Sequence, residues 1–122
     1  MNRADISKYL KNVSEAEPLE DTCGQIRELY HSDNMSIAHV TIKDKALSHM
    51  HRKMEEVYFI LSGNGLLYIG EERFKMLVGD TISIPQNTYH HLENLTFKPL
   101  ELLVITHPRY NISDVILELK SY

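Results

Sequence analysis

The residues best equipped for chemistry in this chain are His49, His51 and Glu56, with His90 further along. Side chains alternate along a strand, so His49 and His51 share a face if the segment is extended. Two imidazoles on one face, a carboxylate shortly after and a third imidazole from another strand can close around one divalent metal. Neutral imidazole and carboxylate are ligands that iron, manganese, zinc, nickel and copper accept from proteins. A His-x-His pair alone is weak, because it arises often by chance. Here it sits in a longer pattern: His49-Met50-His51, four residues, Glu56, six residues, Gly63. A second segment answers it: Gly79, five residues, Pro85-Gln86-Asn87, two residues, His90, three residues, Asn94.

That paired pattern resembles the two sequence blocks of the cupin superfamily. The resemblance covers residues 43–94 and implies that His49, His51, Glu56 and His90 are the ligands of one divalent transition metal (Fe, Mn, Zn, Ni or Cu). Two positions depart from the family pattern, Lys43 and Asn87, each standing where a glycine is usual. Asn tolerates a left-handed backbone better than most residues, and Asp44 beside Lys43 supports a turn. Neither departure touches a ligand position. Parity within a strand selects His90 over His91 and Glu56 over Glu55 at the spacings of the two blocks. Tyr58 and Ile60 then share the inward face with Glu56, and Leu92 and Asn94 share that of His90. Tyr58 is the aromatic expected nearest the metal, as cavity wall and candidate catalytic residue. Asn94 is expected to serve the backbone rather than the metal.

The elements that must position these groups are short strands. Ile6, Tyr9, Leu10 and Val13 fall at helical spacing and predict one short N-terminal helix. Glu15 to Asp21 carries four acids and Pro18, and reads as an exposed connection. Strands are predicted over 26–30, 36–42, 47–51, 56–61, 66–69, 73–77, 81–84, 89–92 and 100–106, with a final strand within 114–119. The breaks carry turn residues, among them Ser32-Asp33-Asn34, Gly63-Asn64-Gly65, Gly70-Glu71 and Pro85-Gln86-Asn87. Many closely spaced short strands predict an all-β fold. The resemblance makes it a double-stranded β-helix, or jelly-roll barrel, with residues 1–24 as helix and connection and 25–122 as the barrel.

A chain of 122 residues with a formal charge of −4 suits one domain. With no basic run longer than Arg52-Lys53, nucleic acid is not an expected partner. The single cysteine, Cys23, permits no internal disulfide and points to a reducing compartment. No apolar run approaches the length of a membrane span. A cytoplasmic protein is expected. His31, His39 and His107 have no such spacing and read as structural, and Arg27 as a residue of a solvated strand face. Val57, Phe59 and Leu61 alternate with Glu56, Tyr58 and Ile60, which leaves this strand apolar on its outer face too and predicts a homodimer.

Four protein ligands on an octahedral metal leave two positions for a chelating small molecule. The resemblance therefore implies a metal-dependent enzyme acting on a small oxygen-rich metabolite. The family spans dioxygenases, decarboxylases, lyases, isomerases and epimerases. The absence of a basic cluster for a sugar phosphate favours dioxygenase-type oxidation by a small margin. A non-catalytic small-molecule-binding cupin is the alternative.

Overall fold

A computed structural model describes residues 8–21 and 24–119. Eleven strands run in chain order as β1 (Pro18–Asp21), β2 (Gly24–His31), β3 (Ser36–Ile42), β4 (His49–Met50), β5 (Glu55–Ser62), β6 (Gly65–Ile69), β7 (Glu72–Met76), β8 (Thr81–Ile84), β9 (His90–Asn94), β10 (Leu100–His107) and β11 (Ile116–Leu117). They form two antiparallel sheets, β1-β2-β3-β10-β5-β8 and β11-β4-β9-β6-β7. The chain changes sheet after β3, β4, β5, β7, β8, β9 and β10. This repeated crossing is what wraps the two sheets into the all-β double-stranded barrel.

Alternation decides what the barrel encloses. On β5, Glu56, Tyr58 and Ile60 are buried while Glu55, Phe59 and Leu61 are exposed. On β10, Leu100, Leu102, Val104 and Thr106 are buried in the same two-residue rhythm. Tyr58, Ile60, Leu100, Leu102 and Val104 join Val40 and Ile42 of β3, Leu67 of β6 and Leu92 of β9 in one apolar core. Ile60, Leu67 and Leu100 are wholly removed from solvent. The core fills the barrel on one side of the four candidate ligands, so the polar group has a packed apolar floor.

Gly65 is required at the start of β6 by close packing. A Cβ built there would stand 2.9 Å from the side-chain ends of both Leu100 and Leu92. Asn87, in the turn before β9, has φ 59° and is the one non-glycine among the described residues with a positive φ. It keeps the left-handed turn that glycine makes elsewhere in the family pattern. Lys43 needs no such conformation.

The N-terminus differs from expectation. The described part of the predicted helix contains only a 3-10 turn, Val13–Glu15, and Tyr9 is exposed. Asn12 caps that turn, accepting from the Ser14 N–H, while Glu15 reaches back to the Asn12 N–H. Ile6 lies outside the described residues. The chain then extends to place β1 on the sheet edge, where Pro18 pairs with Arg27. Glu15 to Asp21 is largely exposed, yet its second half is a strand rather than a loose connection. Pro18 at the first position of an edge strand costs no ladder hydrogen bond. Near the other end, a second 3-10 turn, Ile112–Asp114, precedes β11. No helix among the described residues is long and apolar enough to cross a membrane.

Candidate metal centre

Three short segments bring the four polar groups together. His49 pairs directly with His90 across β4 and β9, His51 follows one residue beyond β4, and Glu56 is the second residue of β5. β4 is shorter than the predicted 47–51, yet His49 within it and His51 just beyond it are both buried. The rings of His49 and His51 lie 4.9 Å apart between centroids, and those of His49 and His90 4.5 Å. Each of the four residues is at most 3% exposed. One ligand atom from each lies within 4.8 Å of the others. Bonds of about 2.1 Å to one ion put neighbouring ligands about 3 Å apart and opposite ones about 4.2 Å in an octahedron. The four atoms need close in only slightly to meet that.

Hydrogen bonding fixes which nitrogen of each ring faces inward. His49 Nδ1 meets the Leu47 carbonyl at 2.7 Å, His51 Nδ1 the Asp114 carbonyl at 3.1 Å, and His90 Nδ1 the Thr88 carbonyl at 3.0 Å. A carbonyl only accepts, so each Nδ1 carries the hydrogen and donates. In the neutral ring, each Nε2 is then a lone pair. The Nε2 atoms of His51 and His90 stand 2.9 and 3.2 Å from a single carboxylate oxygen, Glu56 Oε1. These three atoms are buried and have no hydrogen-bond partner. Acceptor faces acceptor, and only a cation between them removes the conflict. The cation is either a proton or a metal ion.

The electrostatics of the metal-free group agree. Burial lowers His49 to about 4, helped by the neighbouring His90, although its bond to Leu47 opposes the change. For His51 burial also works against charge, but the Glu56 carboxylate outweighs it and raises the ring above its ordinary value. Burial pushes the Glu56 carboxyl up, and His51 and His90 reverse that and hold it at about 2. The Glu56 carboxylate therefore favours a proton on His51 when no metal is bound.

Sequence reasoning missed Asp114. Its carboxylate accepts backbone N–H groups from Arg52, Lys53 and Met54, the loop between two of the four residues. No local signal marks this acid, since its partners lie about 60 positions earlier. Tyr58 is buried with its ring 6.3 Å from that of His90. It walls a void beside His49 of about 10 Å³, room for about one water. Asn94 spans loops as expected, its amide donating to the carbonyls of Ile42, Lys43 and Lys98. His39 lies apart from the group, 3.2 Å from Glu101, and His107 is exposed. Arg27 donates to the Ala16 carbonyl at 2.7 Å.

A family model described as a cupin domain matches residues 37–106. The chain belongs to the cupin family. An uncharacterized protein of Methanocaldococcus jannaschii is 40% identical over 96 residues, covering 73% of this chain and 77% of that protein. A mannose-1-phosphate guanylyltransferase of Salmonella muenchen is 31% identical over 101 residues, which cover 81% of this cupin but only 21% of the transferase. Among solved structures, Streptomyces PAC13 with uridine superposes at a TM-score of 0.80 with 18% identity, covering 93% of each chain. A mutant of the Bacillus subtilis oxalate decarboxylase OxdC gives 0.72 with 23% identity, covering 83% of this cupin and 30% of that chain. These structural likenesses establish the fold.

Proposed function

We propose that this cupin is a metal-dependent enzyme for a small polyhydroxylated or oxyacid metabolite, with His49, His51, Glu56 and His90 holding one divalent transition metal. The observation that carries the reading is the buried conflict of acceptors at Glu56 Oε1, which a divalent ion resolves with all three rings neutral. When bound, such an ion supplies Lewis-acid polarisation of a substrate oxygen. The Nδ1–H bonds to main-chain carbonyls hold the three rings in the ligating tautomer. Tyr58 would wall the site on its apolar side.

Substrate approach is the role we assign to a groove of about 630 Å³ lined by Leu19, Lys53, Met54, Arg109, Tyr110 and Asp114, among others. Met54 and Asp114 line it on the side of the ligands, with Met54 buried and the Asp114 carbonyl against His51. Lys53 and Arg109 bring cationic groups to the groove that sequence spacing does not reveal, beside Asp33 and Asp114, with Arg109 also paired to Glu28 at 3.0 Å. They suit an anionic or phosphorylated sugar, and the relative with a mannose-1-phosphate activity supports that substrate class. One structural neighbour is described as a nucleoside dehydratase and another is named as an oxalate decarboxylase, and on that ground we favour a lyase-type reaction over the dioxygenase expectation. The reading also includes a homodimer in a reducing cytoplasm, paired through the outer face of β5.

Elemental analysis of protein purified without chelator or histidine tag tests the metal. About one transition-metal ion per chain is expected, falling to trace in Glu56→Gln and His90→Ala. Unchanged metal content in both variants refutes the ligand set. Incubation with sugar phosphates, nucleosides and hydroxy acids, read by mass, separates the chemistries. Loss of water or carbon dioxide supports the lyase reading, and gain of two oxygens supports a dioxygenase instead.

A further inference from the structure

The loop joining His51 to Glu56 is held from a distance by one buried acid. Asp114 Oδ1 accepts the Arg52 N–H at 3.1 Å, and Oδ2 accepts those of Lys53 and Met54 at 3.0 Å each. The main-chain carbonyl of the same residue takes the His51 Nδ1–H. One residue therefore fixes the ring of one candidate ligand and the backbone that leads to the next. Successive N–H groups converging on a carboxylate form an anion-holding nest. The acid is itself presented rigidly. It ends the Ile112–Asp114 turn, its N–H bonds the Asn111 carbonyl at 3.0 Å, and the Asn111 side chain caps the turn at Ser113.

We propose that Asp114 is a positioning residue of the metal centre, holding the 52–54 backbone and the His51 ring in the geometry that brings His51 and Glu56 onto one ion. The proposal rests on the metal reading above. A purely structural role would only staple the C-terminal segment to the barrel. The two roles differ in what a conservative change does to the metal. Asp114→Asn keeps the size of the side chain but replaces one accepting oxygen with an amide NH2, a donor. In either amide orientation a donor then faces the N–H groups of the nest. Asp80 is a suitable control, because its Oδ2 caps the Leu77 N–H at 2.8 Å in the turn between β7 and β8.

The test compares parent, Asp114→Asn and Asp80→Asn. Zn²⁺ affinity is measured by chelator competition, and the visible absorption of the Co²⁺-loaded proteins is recorded. Asp114→Asn should bind about 10- to 100-fold more weakly, the range seen when a partner behind a ligand is removed. Its Co²⁺ bands should move, whereas Asp80→Asn should match the parent in both readouts whatever its stability. Parent-like affinity and bands in Asp114→Asn overturn the proposal. If the parent takes up neither ion, the metal reading fails, and imidazole ¹⁵N shifts of the metal-free proteins decide positioning alone. His51 shifts that move while those of His90 stay support it, and unmoved His51 shifts refute it. Should Asp114→Asn fail to fold, Asp114→Ser, whose hydroxyl still accepts, is judged by the same criteria.

Discussion

Acidification of the metal-free protein should expose the cost of burying His49. Its ring falls from an ordinary 6.5 to about 4, chiefly through burial. A base whose folded value is lowered stays neutral in the barrel while the unfolded chain takes up the proton. Stability is therefore lost as pH falls from 6.5 towards 4, and it returns on the way back. At about 1.4 kcal/mol for each pH unit, the loss comes to about 3 kcal/mol. His51 acts in the opposite sense. Its raised value contributes stability below 6.5 that fades as pH climbs through the folded value. Glu56 stabilises above 4.5 and loses that contribution as pH drops from 4.5 towards about 2, almost wholly below this window. Metal-free stability should thus peak near neutrality and fall on the acid side. Urea denaturation of chelator-treated protein across this range measures it, and His49→Gln should flatten the acid limb. Parallel slopes for parent and His49→Gln refute the assignment of that limb to His49.

Metal occupancy should decline through the histidine range as pH falls, because ligating rings must be neutral; occupancy independent of pH between 4 and 6.5 would contradict the imidazole ligands. Asn94→Ala removes the amide that ties the Ile42, Lys43 and Lys98 carbonyls together, and should cost about 1–3 kcal/mol in chemical denaturation without altering metal content. Leu67→Ala empties a wholly buried site and should cost about 2–5 kcal/mol by the same assay. Phe59 and Leu61 are 37% and 38% exposed on the outer face of β5, so light scattering should return a dimer, and Phe59→Glu with Leu61→Lys a monomer. A parent mass near 14.2 kDa would show that the face is not a pairing surface.

Much of the barrel was legible because its strands are punctuated. Ser36–Ile42 and Thr81–Ile84 match the predicted bounds, since turn residues flank both and a buried face sets their rhythm. The four-residue group was legible for a different reason: spacing along two segments encodes a meeting of strands that parity then orients. What escaped was held by distant partners. β1 has a single apolar residue, Leu19, and exists because β2 offers it an edge. The helical spacing of Tyr9, Leu10 and Val13 lost to a turn capped by Asn12 and to an extended run onto the sheet. Asp114 carries no pattern at all, and only the folded chain shows what its carboxylate holds. The meeting of Lys53 with Arg109, itself paired to Glu28, is likewise invisible until two loops come together at one groove.

Every acceptor that aims a histidine ring in this centre is a main-chain oxygen, at Leu47, Thr88 and Asp114. Main-chain oxygens survive substitution. Leu47 points its side chain into solvent, so that position can drift to any residue that keeps the local path of the chain. Alignments of distant homologues will then show four invariant ligands and apparently featureless support behind two of the rings. The inheritance of ring orientation lies in backbone shape, not in residue identity. Anyone transplanting this centre into another barrel would need to copy the bends before His49 and His90 as faithfully as the histidines themselves.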